Sequence, residues 1–240
     1  NLDHLWLHEG FGTYMQPLYA QYLAGERPYQ SYLHTLRKGI VNKFPLVSNK
    51  VLNDDEVYND DKGPGQDLYQ KGALILHTLR QLIGDDAFFA SLKKYLTDNQ
   101  YSAVEVDELR MAFEDTTGED LKWFFNQWYL SAGHPSLSLT TDYADGNIQL
   151  TVEQTQSTDD NVPAIFRLPT QVAIFTNGNT TPKVMDIVVD QRKQTFTFPS
   201  SVKPDVVIFD PQHYLLATYG YTKTAEELAA QFKGAPTVID

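Results

Sequence analysis

Cysteine is absent from the 240 residues. That excludes disulfide scaffolds, thiolate metal sites and cysteine nucleophiles together, and it removes the usual clue to redox compartment. Long apolar runs are missing too: no stretch approaches the ~18 residues of a membrane-spanning helix. Basic residues are scarce, 19 Lys and Arg against 31 Asp and Glu, for a net charge of −12. Nucleic acid and anionic membranes need a basic surface, so neither is expected as a partner. The chain also lacks a starting methionine and a signal peptide, opening instead with Asn1-Leu2-Asp3. The expectation is that a piece precedes it.

What is present is enough apolar content, 42%, to bury a real core, so global disorder is excluded. Its patterning changes near Pro135. Before that point apolar residues recur at helical spacing; after it they alternate at spacing two, with Thr, Val, Ile and Phe prominent. The first part predicts five or six helices: Leu5 to Leu23, a second from Pro28 to Ile40, a third from Asp67 to Gly84, a fourth from Asp85, a fifth from Val104 to Phe113 and a sixth from Glu119 towards Gly133. Ser48 to Gln66, acidic and broken by Gly63-Pro64-Gly65, reads as a loop. The second part predicts strands at 137–140, 148–152, 168–176, 184–189, 195–198 and 206–209, with Asp145-Gly146 a strong hairpin signal. Such spacing suggests a small antiparallel β-sandwich. A helical pattern returns at Ala225 to Phe232.

The most informative segment is Asp3-His4-Leu5-Trp6-Leu7-His8-Glu9-Gly10-Phe11-Gly12-Thr13-Tyr14. Glu9 stands among bulky apolar residues, where an unpaired charge is costly, so it wants a cation, a donor or a metal. Gly10 and Gly12 each weaken a helix by about 1 kcal/mol relative to Ala, which suggests that something approaches the backbone closely. A solvent-facing Glu beside a helix-packing glycine is the alternative. His4 and His8 are four apart, a spacing that could pair on a metal, but no Glu lies between them to serve as base. Asp54-Asp55-Glu56 and Asp60-Asp61 could form a carboxylate pair or calcium loop; they lack the ordered spacing of an EF-hand, and a solvated loop is the better reading. Asn179-Thr180-Thr181 fits a glycosylation triplet of a kind frequent by chance.

The first segment resembles the Trp-Leu-x-Glu-Gly-Phe motif of the M1 family of zinc aminopeptidases, thermolysin-like gluzincins. Tyr69-Gln70-Lys71-Gly72-Ala73 is similar to that family's Tyr-x-Lys-Gly-Ala helix. The order of Phe88-Phe89, Asp120-Leu121 through Trp128, Gly133-His134-Pro135 and Asp205 through Pro211 follows the family as well. The resemblance implies an α+β multidomain chain: residues 1–134 the helical C-terminal part of the catalytic domain, 135–215 a β-sandwich, and 216–240 a linker or short helix towards a further domain. It implies zinc as cofactor, with Glu9 its third ligand, and peptides as substrates. It also implies that the Tyr69 hydroxyl donates to the oxyanion of the tetrahedral intermediate, as a phenol that stays protonated at neutral pH can. Asp3, His8, Gly10 and Gly72 would stand just outside the metal or along the substrate cleft.

One departure matters most: His-Glu-x-x-His does not occur in this sequence. By the family's spacing its second His would fall roughly ten residues before Asn1. The expectation is therefore a catalytic domain missing its N-terminal half and inactive alone. The alternative is a non-enzymatic binding or scaffold module that keeps the fold.

Overall fold

The computed structural model describes residues 2–158 and 161–222. The chain divides into a helical unit, 1–133 with 158–163, and a β unit, 134–157 with 164–240. The expected helix at Ala225 to Phe232 lies outside the described residues.

In the helical unit a 3-10 turn, Leu2–His4, leads into α1 (Trp6–Ala24). Trp6, Leu7, Gly10, Tyr14 and Pro17 form its buried side, the stripe that helical periodicity demands. Gly25, at φ 85°, breaks the chain before α2 (Glu26–Arg37). This helix starts two residues earlier than Pro28, where Glu26 complements the N-terminal dipole, and stops short of the expected Ile40. The acidic stretch is not all loop. Asn53 and Glu56 form a reciprocal capping box that closes one helical turn, α3 (Asp54–Val57), satisfying donors that would otherwise be orphaned.

A second 3-10 turn, Gly65–Leu68, leads through Tyr69 into α4 (Gln70–Ile83). Ten consecutive residues of α4, Lys71 to Arg80, are buried, because α1, α2 and α5 (Asp85–Asp98) all pack against it. A buried polar chain ties these helices together. The Tyr14 and Tyr29 hydroxyls lie 2.7 Å apart, and Tyr29 Oη lies 2.7 Å from His77 Nδ1. Arg80 grips Asp85 through two bonds of 2.8 and 2.7 Å. Burial pushes the Tyr29 phenol far above its ordinary range, so it remains a donor. Helix α6 (Val106–Thr117) runs past the expected Phe113, through two threonines whose hydroxyls bond back to Ala112 and Phe113 carbonyls at 2.8 Å, and ends at left-handed Gly118. The last helix, α7 (Lys122–Trp128), is shorter than its apolar pattern predicts.

The β unit holds β1 (Ser136–Ala144), β2 (Asn147–Gln154), β3 (Leu168–Phe175), β4 (Lys183–Val189), β5 (Lys193–Pro199), β6 (Val206–Phe209) and β7 (Thr218–Thr222). One sheet has the order β5-β2-β1-β7, the other β4-β3-β6. Asp145 and Gly146 both take positive φ, 51° and 73°, the two-residue hairpin whose twist suits flanking strands. Among the described residues five pairings are present, four antiparallel, as the expected antiparallel β-domain requires, and one, β1 with β7, parallel. Strand β7 itself was not expected: Thr-Tyr-Gly-Tyr-Thr alternates only two tyrosines, and the glycine between them argues against a strand.

Candidate active site

The site is assembled where α1 meets the start of α4. A Cβ built on Gly10 would stand 3.1 Å from the Gly72 backbone, and one built on Gly72 would stand 3.0 Å from Gly10 Cα. The two helices thus touch backbone to backbone at a pair of glycines, a spacing that a Cβ on either would force apart by a few tenths of an ångström. Their neighbours are brought together as a result. Glu9, one residue before Gly10, and Tyr69, three before Gly72, come close enough for the carboxylate's negative charge to act on the phenol. Both are half-buried. Partial burial first, then the Glu9 carboxylate and the nearby Tyr58 hydroxyl, hold the Tyr69 pKa above its ordinary value. The phenol is therefore a protonated donor throughout the neutral range.

The remaining sequence-predicted residues separate into different roles. Asp3 is buried, and its carboxylate accepts the Leu52 N–H at 2.9 Å, pinning the irregular segment ahead of α3 to the head of α1. His8 is exposed. His4 faces α6 instead, its Nδ1 accepting the Val106 N–H at 3.2 Å and its Nε2 lying 3.7 Å from Glu105; the two histidines do not come together. Gly12 has no atom within 4 Å of a built Cβ, so only one of the two glycines in α1 serves a close approach. The acidic loop forms an open depression lined by Asp54, Asp55, Tyr58, Asn59, Asp60 and Asp61. Three of its four carboxylates have partners: Asp55 meets Lys62 at 2.5 Å, Asp61 meets Lys43 at 2.6 Å, and Asp60 accepts the Gln66 N–H at 2.8 Å.

Among the described residues no group of three or more His, Asp or Glu side chains is placed to hold a metal ion.

Sequence reasoning missed two things here. Tyr58 is close enough to Tyr69 to help raise its pKa although nothing in the acidic loop marks it. The turn entering α4 is clamped by the buried Asp67 and Lys71 on the half-buried Asn42, of which only the Lys two residues after Tyr69 could have been a signal.

Comparison with known proteins bears on what this arrangement is. The model of the peptidase family M1 domain matches residues 1–128. This chain belongs to peptidase family M1. It is 27% identical over 163 residues to aminopeptidase 2, mitochondrial, of Saccharomyces cerevisiae, a match covering 63% of this chain and 16% of that protein. It is 26% identical over 166 residues to aminopeptidase N of Escherichia coli, covering 63% of this chain and 18% of that one. The chain thus matches less than a fifth of the length of these M1 relatives. The crystal structure of Legionella pneumophila aminopeptidase A in complex with aspartic acid superimposes with a TM-score of 0.74 at 18% identity, over 96% of this chain and 25% of that one. The fold, a helical unit followed by a β unit, is therefore that of an M1 aminopeptidase segment.

Proposed function

We propose that this M1 chain carries one edge of a zinc aminopeptidase active site, with Glu9 as one metal ligand and Tyr69 as the donor to the oxyanion. The observation that carries this reading is the backbone-to-backbone crossing of α1 and α4 at Gly10 and Gly72, which brings the Glu9 carboxylate within electrostatic reach of the Tyr69 phenol. It sets a carboxylate and a protonated phenol side by side, the two residues that the family resemblance singles out. Zinc, when bound, supplies Lewis-acid polarisation of the scissile carbonyl. The other ligands would come from residues outside this sequence, since it holds no His-Glu-x-x-His.

The chemistry left to this chain is specific. Glu9 contributes negative charge, and Tyr69 contributes a neutral O–H. A phenol has one proton to donate, and the nearby Glu9 charge favours keeping it. When an N-terminal peptide bond is attacked, the developing oxyanion gains that preorganised donor, an interaction worth roughly 3 kcal/mol in the transition state. Peptides are the substrates in this reading. The half-burial of both groups limits solvent competition without sealing the site.

The 240 residues alone are expected to bind no catalytic zinc and to cleave no peptide, because one carboxylate is not a metal site. An aminoacyl-anilide assay of the isolated chain with added zinc tests this; zinc-dependent turnover would overturn it. The same assay on the full-length polypeptide carrying this sequence, with its upstream residues read for His-Glu-x-x-His, tests the parent. Turnover that a chelator abolishes is the expected result. A degraded motif without turnover would make Glu9 and Tyr69 relics of a binding or scaffold module.

A further inference from the structure

Lys71 is wholly buried and has no role in the function proposed above. Its Nζ donates to Asn42 Oδ1 at 2.9 Å and to the Gly133 carbonyl at 3.0 Å, partners 29 residues upstream and 62 downstream. Asp67, also buried, accepts the Val41 N–H at 2.8 Å and the Asn42 N–H at 2.5 Å. Asn42 therefore gives its backbone N–H to Asp67 and takes the Lys71 ammonium on its side chain, in a left-handed conformation at φ 66°. The three residues close a ring around the turn that enters α4.

The geometry of that turn gives the ring a purpose. Asp67 and Lys71, four apart, lie on one side of the chain. Tyr69, two residues from each, sits at the junction of the 3-10 turn and α4, so whatever holds Asp67 and Lys71 holds the backbone on both sides of it. An ammonium with no exposure is a costly group to keep, and well-packed apolar side chains can replace buried charges without loss of stability. Burial lowers the Lys71 pKa to about 8, with Asp67 opposing the fall. An apolar side chain could fill the space but could not hold the two distant oxygen atoms.

We propose that Lys71 is the positioning residue for Tyr69: by tying the start of α4 to Asn42 and Gly133, it fixes the direction in which the phenol meets Glu9 and the oxyanion. The proposal rests on the reading of Tyr69 as the oxyanion donor. It names a residue that touches neither substrate nor metal and acts only through its neighbour.

The test is a double-mutant cycle in the full-length polypeptide carrying this sequence. Lys71→Met is expected to lower kcat ~10–100-fold, the scale of a small misplacement of a catalytic group, with KM within about 2-fold. Added to Tyr69→Phe, the same change should cost less than about 3-fold more, because the group it positions is gone. Equal losses in both backgrounds would overturn the proposal, since a merely structural lysine damages both alike. Asn42→Gly, which keeps the left-handed backbone and removes the acceptor, guards against a Lys71→Met protein that does not fold; it should reproduce the kcat effect, and an unchanged kcat would contradict the proposal. A crystal structure of whichever variant folds separates this inference from the functional reading. If the wild-type polypeptide shows no turnover, the aminopeptidase reading fails. The positional claim then stands if the phenol has left Glu9 and falls if it has not.

Discussion

The two units bury polar groups in different ways. In the β unit the buried carboxylate of Asp210 is spent entirely on local partners: Thr170 Oγ1 and the Tyr214 N–H at 2.9 Å, the Leu215 N–H at 3.0 Å and Tyr219 Oη at 2.5 Å. Gln154 is similar, its amide bonded through both ends to the Phe166 backbone at 2.8 Å. These are closed knots that hold loops on sheets. The helical unit has such closed sets too, Tyr14–Tyr29–His77 and Arg80–Asp85, but there the buried Asp67 and Lys71 also flank Tyr69 in the chain, which with Glu9 is left half-exposed. The difference teaches that a buried polar side chain is structural where its partners close on themselves, and serves a site where it anchors the neighbours of residues left open.

That contrast can be broken by substitution. The largest effect on stability is expected from Asp210→Ala, which orphans four donors at once and should cost about 4 kcal/mol in denaturant unfolding, while the Glu9–Tyr69 pair persists in a crystal structure of the variant. A loss below about 1 kcal/mol would mean that the knot is not what holds the loop.

The next effect is one of pH. The Lys71 pKa is about 8 in the folded chain against an ordinary 10.5, so between these values the unfolded chain binds a proton that the folded one has shed. Stability relative to the Lys71→Met variant should therefore rise from about pH 8 to about pH 10.5, by a total of order 3 kcal/mol. The raised tyrosines act in the opposite sense above pH 10 and cancel in that difference. A flat difference curve would show that the ammonium is less buried than described.

Smaller still is the contrast between glycines on the two sides of the crossing. Gly72→Ala places a Cβ 3.0 Å from Gly10 Cα and should cost about 2 kcal/mol through overpacking. Gly12→Ala meets nothing and should gain about 1 kcal/mol of helix propensity. Thermal unfolding of the two variants measures both. Equal shifts would undo the claim that the backbone contact sets the site.

Much of this was legible in the sequence, for physical reasons that also mark where legibility ended. Helix α1 and the Asp145-Gly146 hairpin declare themselves through periodicity and turn chemistry, which are local. Glu9 and Tyr69 could be singled out by motif, and Gly10 and Gly72 could be read as places of close approach, but that these two, 62 residues apart in sequence, approach each other could not; Gly12 gave the same signal as Gly10 and serves no contact. The turn α3 was hidden inside an acidic stretch because its capping box is one turn long. Strand β7 was hidden because it takes its place from parallel pairing with β1, not from its own residues. Lys71 could not be read as an anchor, since Asn42 and Gly133 follow no spacing rule.

Replacing Tyr69 with Phe in the full-length polypeptide carrying this sequence, and measuring aminoacyl-anilide hydrolysis, tests the central claim most directly. The change removes one hydroxyl from a half-buried position and should leave thermal unfolding and KM nearly unchanged. If Tyr69 donates to the oxyanion, kcat falls by ~100–1,000-fold. A variant that keeps the wild-type kcat would contradict the account.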